Sequence, residues 1–200
     1  MFRRKAIYGG LNVSDRIFDW TNIVRNDRER CYTVPFSGKS HMHNTPLSGI
    51  SADALNALLD DAFGTDRHLR TAYLLRKGMA AIDHLSFGIL DNGELLASIQ
   101  CWPVRVGMAN LFLVGPVAVA THRQSEGLGK RLMQLMLNAA TPQDAPMVMI
   151  GDPEYYGRFG FDAEGTSGWT LPGPWEPRRL LLRNSATVAL PTHGMLGPAD

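Results

Sequence analysis

The stretch Val119-Ala120-Thr121-His122-Arg123-Gln124-Ser125-Glu126-Gly127-Leu128-Gly129-Lys130-Arg131 carries an apolar strand end into a glycine-bearing turn that opens a helix at once. Downstream, Leu128, Leu132, Leu135, Met136 and Ala139 recur at the spacing of one buried helical face, and Pro142 marks its end. The first amides of such a helix lack intrahelical partners and carry the positive end of its dipole. The turn therefore suits a phosphate or pyrophosphate. Gly127 and Gly129 keep side chains away from those amides.

Two nucleotide loops fail against these letters. A Walker A loop needs glycine at position 124 and Ser or Thr at 131, where the chain has Gln124 and Arg131. A dinucleotide fingerprint needs a third glycine where Leu132 stands, and Asp152, an acid about 20 positions on, does not replace it. The pattern that fits is Gln/Arg-x-x-Gly-x-Gly/Ala, filled by Gln124, Gly127 and Gly129. Upstream, residues 111–119 read as a buried strand interrupted by Gly115-Pro116. Proline inside a strand removes a ladder hydrogen bond and marks an edge, a bulge or a splay. Downstream, Met147-Val148-Met149-Ile150-Gly151-Asp152 reads as a short apolar strand, followed by Pro153 in the first turn of a short helix that Gly160 closes. That segment contains Tyr-x-x-x-Gly-Phe at Tyr156, Gly160 and Phe161.

The loop, the interrupted strand and the tyrosine motif together resemble the GNAT superfamily of N-acetyltransferases. Residues 66–73, Trp102-Pro103-Val104-Arg105 and Leu171-Pro172-Gly173-Pro174 add a similarity to its bacterial YhbS-type branch, over about residues 50–183. The resemblance implies an α/β (α+β) GNAT fold, with a mixed, mostly antiparallel central sheet flanked by helices and a strand splayed at the acetyl-CoA site. It implies that Val117, Ala118 and Val119 run beside the pantetheine arm, and that Gln124, Ser125, Glu126, Gly127, Leu128, Gly129 and Lys130 hold the pyrophosphate. It gives Tyr156 the role of protonating the departing thiolate. The implied reaction moves acetyl from acetyl-CoA, as cosubstrate and without a metal, to an amine of a small molecule or peptide by direct attack on the thioester. A backbone N–H near Val119 would meet the developing oxyanion. Transfer of a longer acyl group, or a CoA-binding regulatory module without turnover, are the alternatives.

Other side chains near these motifs have a functional and a structural reading. Asp152 and Glu154 are the nearby carboxylates, read first as turn and first-turn helix residues. His68, Trp102, Arg105 and Trp169 either line the acceptor groove or pack, His122 either acts or faces solvent, and Tyr155 is read as core.

Residues 1–45 read as an N-terminal extension, 46–183 as the acetyltransferase domain and 184–200 as a C-terminal tail without a motif. In the extension, residues 31–36 are a candidate edge strand and Met42 a candidate translation start. His41-x-His43 offers two ligand-type side chains with no cluster to complete a metal site. The domain opens with Ser51 capping a helix whose apolar face is Leu55, Leu58, Leu59, Ala62 and Phe63, ended by Gly64. A second helix is expected over residues 68–76, then a hairpin turning at Asp91-Asn92-Gly93.

The chain has 200 residues and a net charge of +1, so no basic excess points to nucleic acid. The longest apolar run, residues 111–120, is too short to span a bilayer and contains Pro116. No continuous apolar segment follows Arg3-Arg4-Lys5, so no secretory signal is read. Cys31 and Cys101 could pair in principle, but two cysteines in a chain of this size read first as free thiols of a reducing cytoplasm. The expected partner is thus an amine substrate, with no nucleic acid and no membrane, and a homodimer left open.

Overall fold

A computed structural model describes residues 41–185 and 188–199. Its strands are β1 His43–Pro46, β2 Phe87–Asp91, β3 Glu94–Val106, β4 Ala109–Val119, β5 Met147–Ile150, β6 Trp169–Thr170, β7 Leu180–Arg183 and β8 Gly194–Pro198. Its α-helices are α1 Ala52–Phe63, α2 Thr71–Leu75, α3 Leu128–Ala139 and α4 Pro153–Tyr156. The strands run β1-β2-β3-β4-β5-β7 across an open sheet, antiparallel throughout except for the β4–β5 pair. This is the mixed, mostly antiparallel sheet with flanking helices that the sequence implies.

The β2–β3 hairpin turns on Asn92 and Gly93, both at positive φ (51° and 86°), as an Asn-Gly turn requires. β3 is buried along most of its length because helices cover the sheet. From α3, Leu128, Leu132, Met133 and Met136 join Ile89, Ala97, Ile99 and Val114 in one core cluster. From α1, Leu58 and Leu59 pack with Leu95, Ala118 and Ala120 in another. Ser51 caps α1 through a hydrogen bond that its side chain accepts from the Ala54 N–H at 3.2 Å.

The structure departs from the expected elements in three places. The helix expected over residues 68–76 is a 3-10 turn, Thr65–Leu69, and a short α2, broken where Arg70 is extended (φ −75°, ψ 145°). The break turns Arg67 inward to Asp60 and Asn56 of α1. Residues 194–198, within the stretch read as a tail, form β8, which pairs with the last residues of β3 and with β6. Only Leu196 of that strand is buried, and Gly194, Gly197 and Pro198 erase any alternation. At the other end, the sheet begins at His43, inside the stretch read as the extension. The candidate strand at 31–36, Cys31 and Arg3-Arg4-Lys5 lie outside the described residues. Among the described residues, no helix is long and apolar enough to cross a membrane.

Candidate active site

β4 and β5 pair only at Phe112 with Met147 and Leu113 with Val148. Immediately beyond, β4 bulges: Cys101 faces Val114 and Ile99 faces Val117, so Gly115 and Pro116 together stand against Gln100. Gly115 sits at φ +122°, a conformation that L side chains rarely adopt. The Trp102 indole N–H holds the bulge by donating to the Gly115 carbonyl at 3.0 Å. From Val114 to Val119, β4 keeps its β3 partner and has no strand on its β5 side among the described residues. A cleft of about 630 Å³ opens there, with Val114 to Val117 on one wall and Met149 to Asp152 on the other.

The turn after β4 is fixed from below. Asp61 of α1 accepts hydrogen bonds from the Thr121 N–H at 2.7 Å and its Oγ1 at 3.0 Å. Arg123 pairs with Glu126 at 2.7 Å and Asp91 at 3.5 Å, so these charges are spent inside the loop. Ser125 (φ 69°) and Gly127 (φ 80°) then curl the backbone into α3, whose first turn has no side-chain cap. Its leading amides are open to an anion. A Cβ on Gly127 would meet nothing within 4 Å, so space stands open above it and its positive φ is what favours glycine. A second cavity of about 360 Å³ lies here, lined by Val119, Gln124, Ser125, Gly127, Leu128, Gly129 and Lys130, together with Tyr155 and Arg158.

Most of the expected donor-site residues thus come together around the two cavities, and two stand apart. Glu126 is turned into its ion pair with Arg123, and Ala118 is fully buried against α1. Arg158 was not anticipated. It follows Tyr155 by three residues, donates from Nε to the Tyr155 carbonyl at 2.9 Å and sets its guanidinium 4.8 Å from that ring. It adds a cation to the one supplied by Lys130.

The two tyrosines of α4 divide differently from the expectation. Tyr155 is only partly buried and lines both cavities, with its hydroxyl 3.6 Å from where a Cβ on Gly129 would stand. It is therefore a wall of the groove and not a core residue. Tyr156 lines the larger cleft and also packs on the core, its ring so close to Gly151 that a Cβ there would lie 2.6 Å from it. Burial, reinforced by the nearby Tyr155, pushes the Tyr156 phenol up to about 12, so it keeps its proton at neutral pH.

The carboxylates have structural duties. Asp152 caps α4, accepting from the Glu154 N–H at 3.1 Å, and hydrogen bonding from Glu154 holds its carboxyl below the ordinary range. Glu154 is exposed, pairs with Arg178 at 3.4 Å and lines neither cavity. His68 is exposed and stacks edgewise on Tyr73, Trp169 is buried in the core, and His122 is exposed beside Glu94. Arg105 lies outside both cavities, whereas Trp102 stands beside the bulge. Among the described residues, no group of three His, Cys, Asp or Glu side chains could hold a metal.

The larger cleft has a strong charge bias that the sequence did not display. Arg67, Arg70, Arg76 and Arg179 line it, and Asp152 is the one carboxylate that does so among the described residues. Arg67 is neutralised by Asp60 at 2.7 Å and also donates to Asn56 and Tyr73. Arg179 donates to the Gly151 carbonyl at 3.3 Å and Arg70 to the Phe63 carbonyl at 2.9 Å.

Comparison with known proteins agrees with this architecture. Residues 47–163 match the family model described as an acetyltransferase (GNAT) domain. The uncharacterized N-acetyltransferase YhbS of Escherichia coli K12 is 30% identical over 122 residues, which cover 56% of this chain and 69% of that protein. Among solved structures, the GNAT family N-acetyltransferase YhbS from Escherichia coli in complex with CoA shares the fold at a TM-score of 0.61 and 20% identity, covering 84% of this chain and 94% of that one. A GNAT family acetyltransferase from Brucella melitensis, solved with acetyl-CoA, gives a TM-score of 0.46 at 27% identity over 73% of this chain and 97% of that one. With more than half its length matched by the family model, the chain belongs to the GNAT acetyltransferase family.

Proposed function

We propose that this protein is an acetyl-CoA-dependent N-acetyltransferase acting on an amine of a small molecule or peptide. The observation that carries the reading is the parting of β4 from β5 directly before an uncapped α3, with Tyr155 on the walls of both cavities so formed. An unpaired strand edge suits an amide-bearing arm, and amides at a helix start suit a pyrophosphate. Lys130 and Arg158 supply neutralising charge at that end. Acetyl-CoA brings an activated thioester, and the groove residues hold it in line with the acceptor.

In the transfer, the amine nitrogen bonds to the acetyl carbon, the carbon–sulfur bond breaks, the thiolate takes a proton, and the nitrogen gives up one proton to solvent, from which the proton donor is restored. Tyr156 is suited to donate that proton because its raised pKa keeps it protonated. The amine must arrive neutral. A cleft where Arg70, Arg76 and Arg179 face one carboxylate, Arg67 being offset by Asp60, lowers the pKa of an ammonium within it, which favours the nucleophilic form without a dedicated base. The proton so lost goes to solvent. A reducing cytoplasm is the setting this reading calls for, with Cys101 a buried free thiol.

Thiol titration of CoA released from acetyl-CoA across an amine panel tests the reading. Turnover on at least one amine is expected. Tight acetyl-CoA binding without turnover on any amine would favour a CoA-binding regulatory module, and turnover only with longer thioesters would reassign the donor.

A further inference from the structure

Two cations of the larger cleft are buried, and only one of them has a counter-ion. Arg67 is 3% exposed and paired with Asp60, whereas Arg76 is 7% exposed and has no ion pair among the described residues. Arg76 donates from one terminal nitrogen to the Gln100 carboxamide at 3.3 Å. Its guanidinium lies 3.7 Å from the Tyr73 ring centre and 4.9 Å from that of Trp102. Taking a charge out of water without a partner is costly, and aromatic faces recover only part of that cost. A guanidinium stacked on rings still offers its edge, a planar fork of donors that matches a carboxylate. Gln100 and the Tyr73 side chain engage part of that edge, and Arg76 also lines the cleft.

The position of this fork gives it a role. Gln100 is the residue that faces the Gly115-Pro116 bulge, and Trp102 binds the Gly115 carbonyl, so two of the three partners of Arg76 sit where the donor groove opens. An anion held there would stand beside the reacting centre and not at the far mouth. Arg70 and Arg179 extend the positive field around it, with only Asp152 opposing.

Resting on the acetyltransferase reading above, we propose that the acceptor is an amino-carboxylate whose carboxylate binds the edge of Arg76 while its amine meets the acyl group. With Arg76 paired to the carboxylate, Arg70 and Arg179 are the cations left in the cleft to disfavour the ammonium form.

Calorimetric titration of the CoA-saturated protein with N-acetylglycine, N-acetyl-β-alanine and N-acetyl-4-aminobutanoate, each against its primary amide, tests this without turnover. At least one acid should bind on the order of 10-fold more tightly than its amide. Arg76→Gln should abolish that preference while leaving CoA affinity unchanged, and Arg76→Lys should keep part of it. Acids and amides binding alike across the panel would overturn the proposal, as would a preference that survives Arg76→Gln. Should that variant fail to fold, the Trp102 indole signal in NMR, assigned with Trp102→Phe, decides: it should move with the acids and stay with the amides. The same titrations without CoA separate the two readings. Failure to bind CoA with the acid preference intact sinks the acetyltransferase, and CoA binding without the preference sinks the amino-carboxylate.

Discussion

The proposed donor side of the groove is made of backbone and the proposed acceptor side of side chains. Around Gly127 the working groups are amides released by a left-handed turn and an uncapped helix, and along β4 they are the groups of an unpaired edge. Around Arg76 they are a guanidinium, two rings and a carboxamide, brought together from α2 and β3. Backbone recognition needs glycine at fixed spacing and is indifferent to the surrounding letters. Side-chain recognition needs only that residues far apart in sequence converge.

The largest effect should come from putting a charge where the backbone works. Gly127→Asp keeps a residue that tolerates positive φ and adds a carboxylate beside the proposed pyrophosphate site. At about 5 Å and an effective dielectric of about 20 the repulsion is about 3 kcal/mol per unit charge. Acetyl-CoA affinity should fall at least on the order of 100-fold by calorimetry. Gly127→Asn, with similar backbone tolerance and no charge, should lose far less. Equal losses in both would mean that the turn acts through its shape alone.

Next comes the junction of the two sides. Tyr156→Phe should lower kcat on the order of 100-fold with acetyl-CoA binding unchanged, the size expected for a lost general acid. Because the phenol is raised to about 12, an acid role predicts that kcat does not fall near pH 10, where an ordinary tyrosine loses its proton, and declines only toward pH 12. A decline near pH 10 would remove Tyr156 as the acid, and a larger loss in Tyr155→Phe would move the role to Tyr155.

How much of this was legible follows from the same division. Gly127 and Gly129, the Gly115-Pro116 interruption, Asn92-Gly93 and the Asp152-Pro153 helix start are each forced by local backbone geometry, and each can be read from a few adjacent letters. The turns, the interrupted strand and the sheet around them were readable for that reason. Arg76 and Gln100 are 24 residues apart, and neither belongs to a pattern. Arg158 stood in an unspecified position of the tyrosine motif, although its spacing of three from Tyr155 on a helical turn was a usable signal. The short α2 escaped because a helical pattern gives no hint that Arg67 is drawn to α1. Tyr155 and Tyr156 are adjacent, and only packing tells which one lines both cavities.

The buried arginines give a further contrast, between a cation with a counter-ion and one with none among the described residues. Arg67→Met strands the hydrogen-bonding groups of Asn56 and Tyr73, so it should cost about 2 kcal/mol of stability in denaturant titration. Asp60 is 40% exposed and stays hydrated, which keeps the loss below that of a fully buried pair. Arg76→Gln should cost less than Arg67→Met because it removes an uncompensated charge. The reverse order would make Arg76 a packing residue and remove the physical ground for a carboxylate at its edge.

The smallest effect should appear where the two sides are tied together. Asp61 lies on α1, the helix that holds Arg67 through Asp60 and Asn56, yet its carboxylate binds Thr121 at the start of the donor loop. The hydrogen bond from the Thr121 amide is the main cause holding its carboxyl below the ordinary range, with the Thr121 hydroxyl next. A depressed folded pKa stabilises the protein above the unfolded value of about 3.9 and ceases to do so as pH falls through the folded value. Asp61→Asn should therefore lower the melting temperature slightly at neutral pH and converge with the parent in acid below about pH 4. Acetyl-CoA affinity should drop far less than in Gly127→Asp, because the turn can keep its left-handed residues without this tie. If Asp61→Asn instead weakened acetyl-CoA binding as strongly as Gly127→Asp, the donor loop would owe its shape to α1, and the backbone side would no longer be independent of the side-chain side.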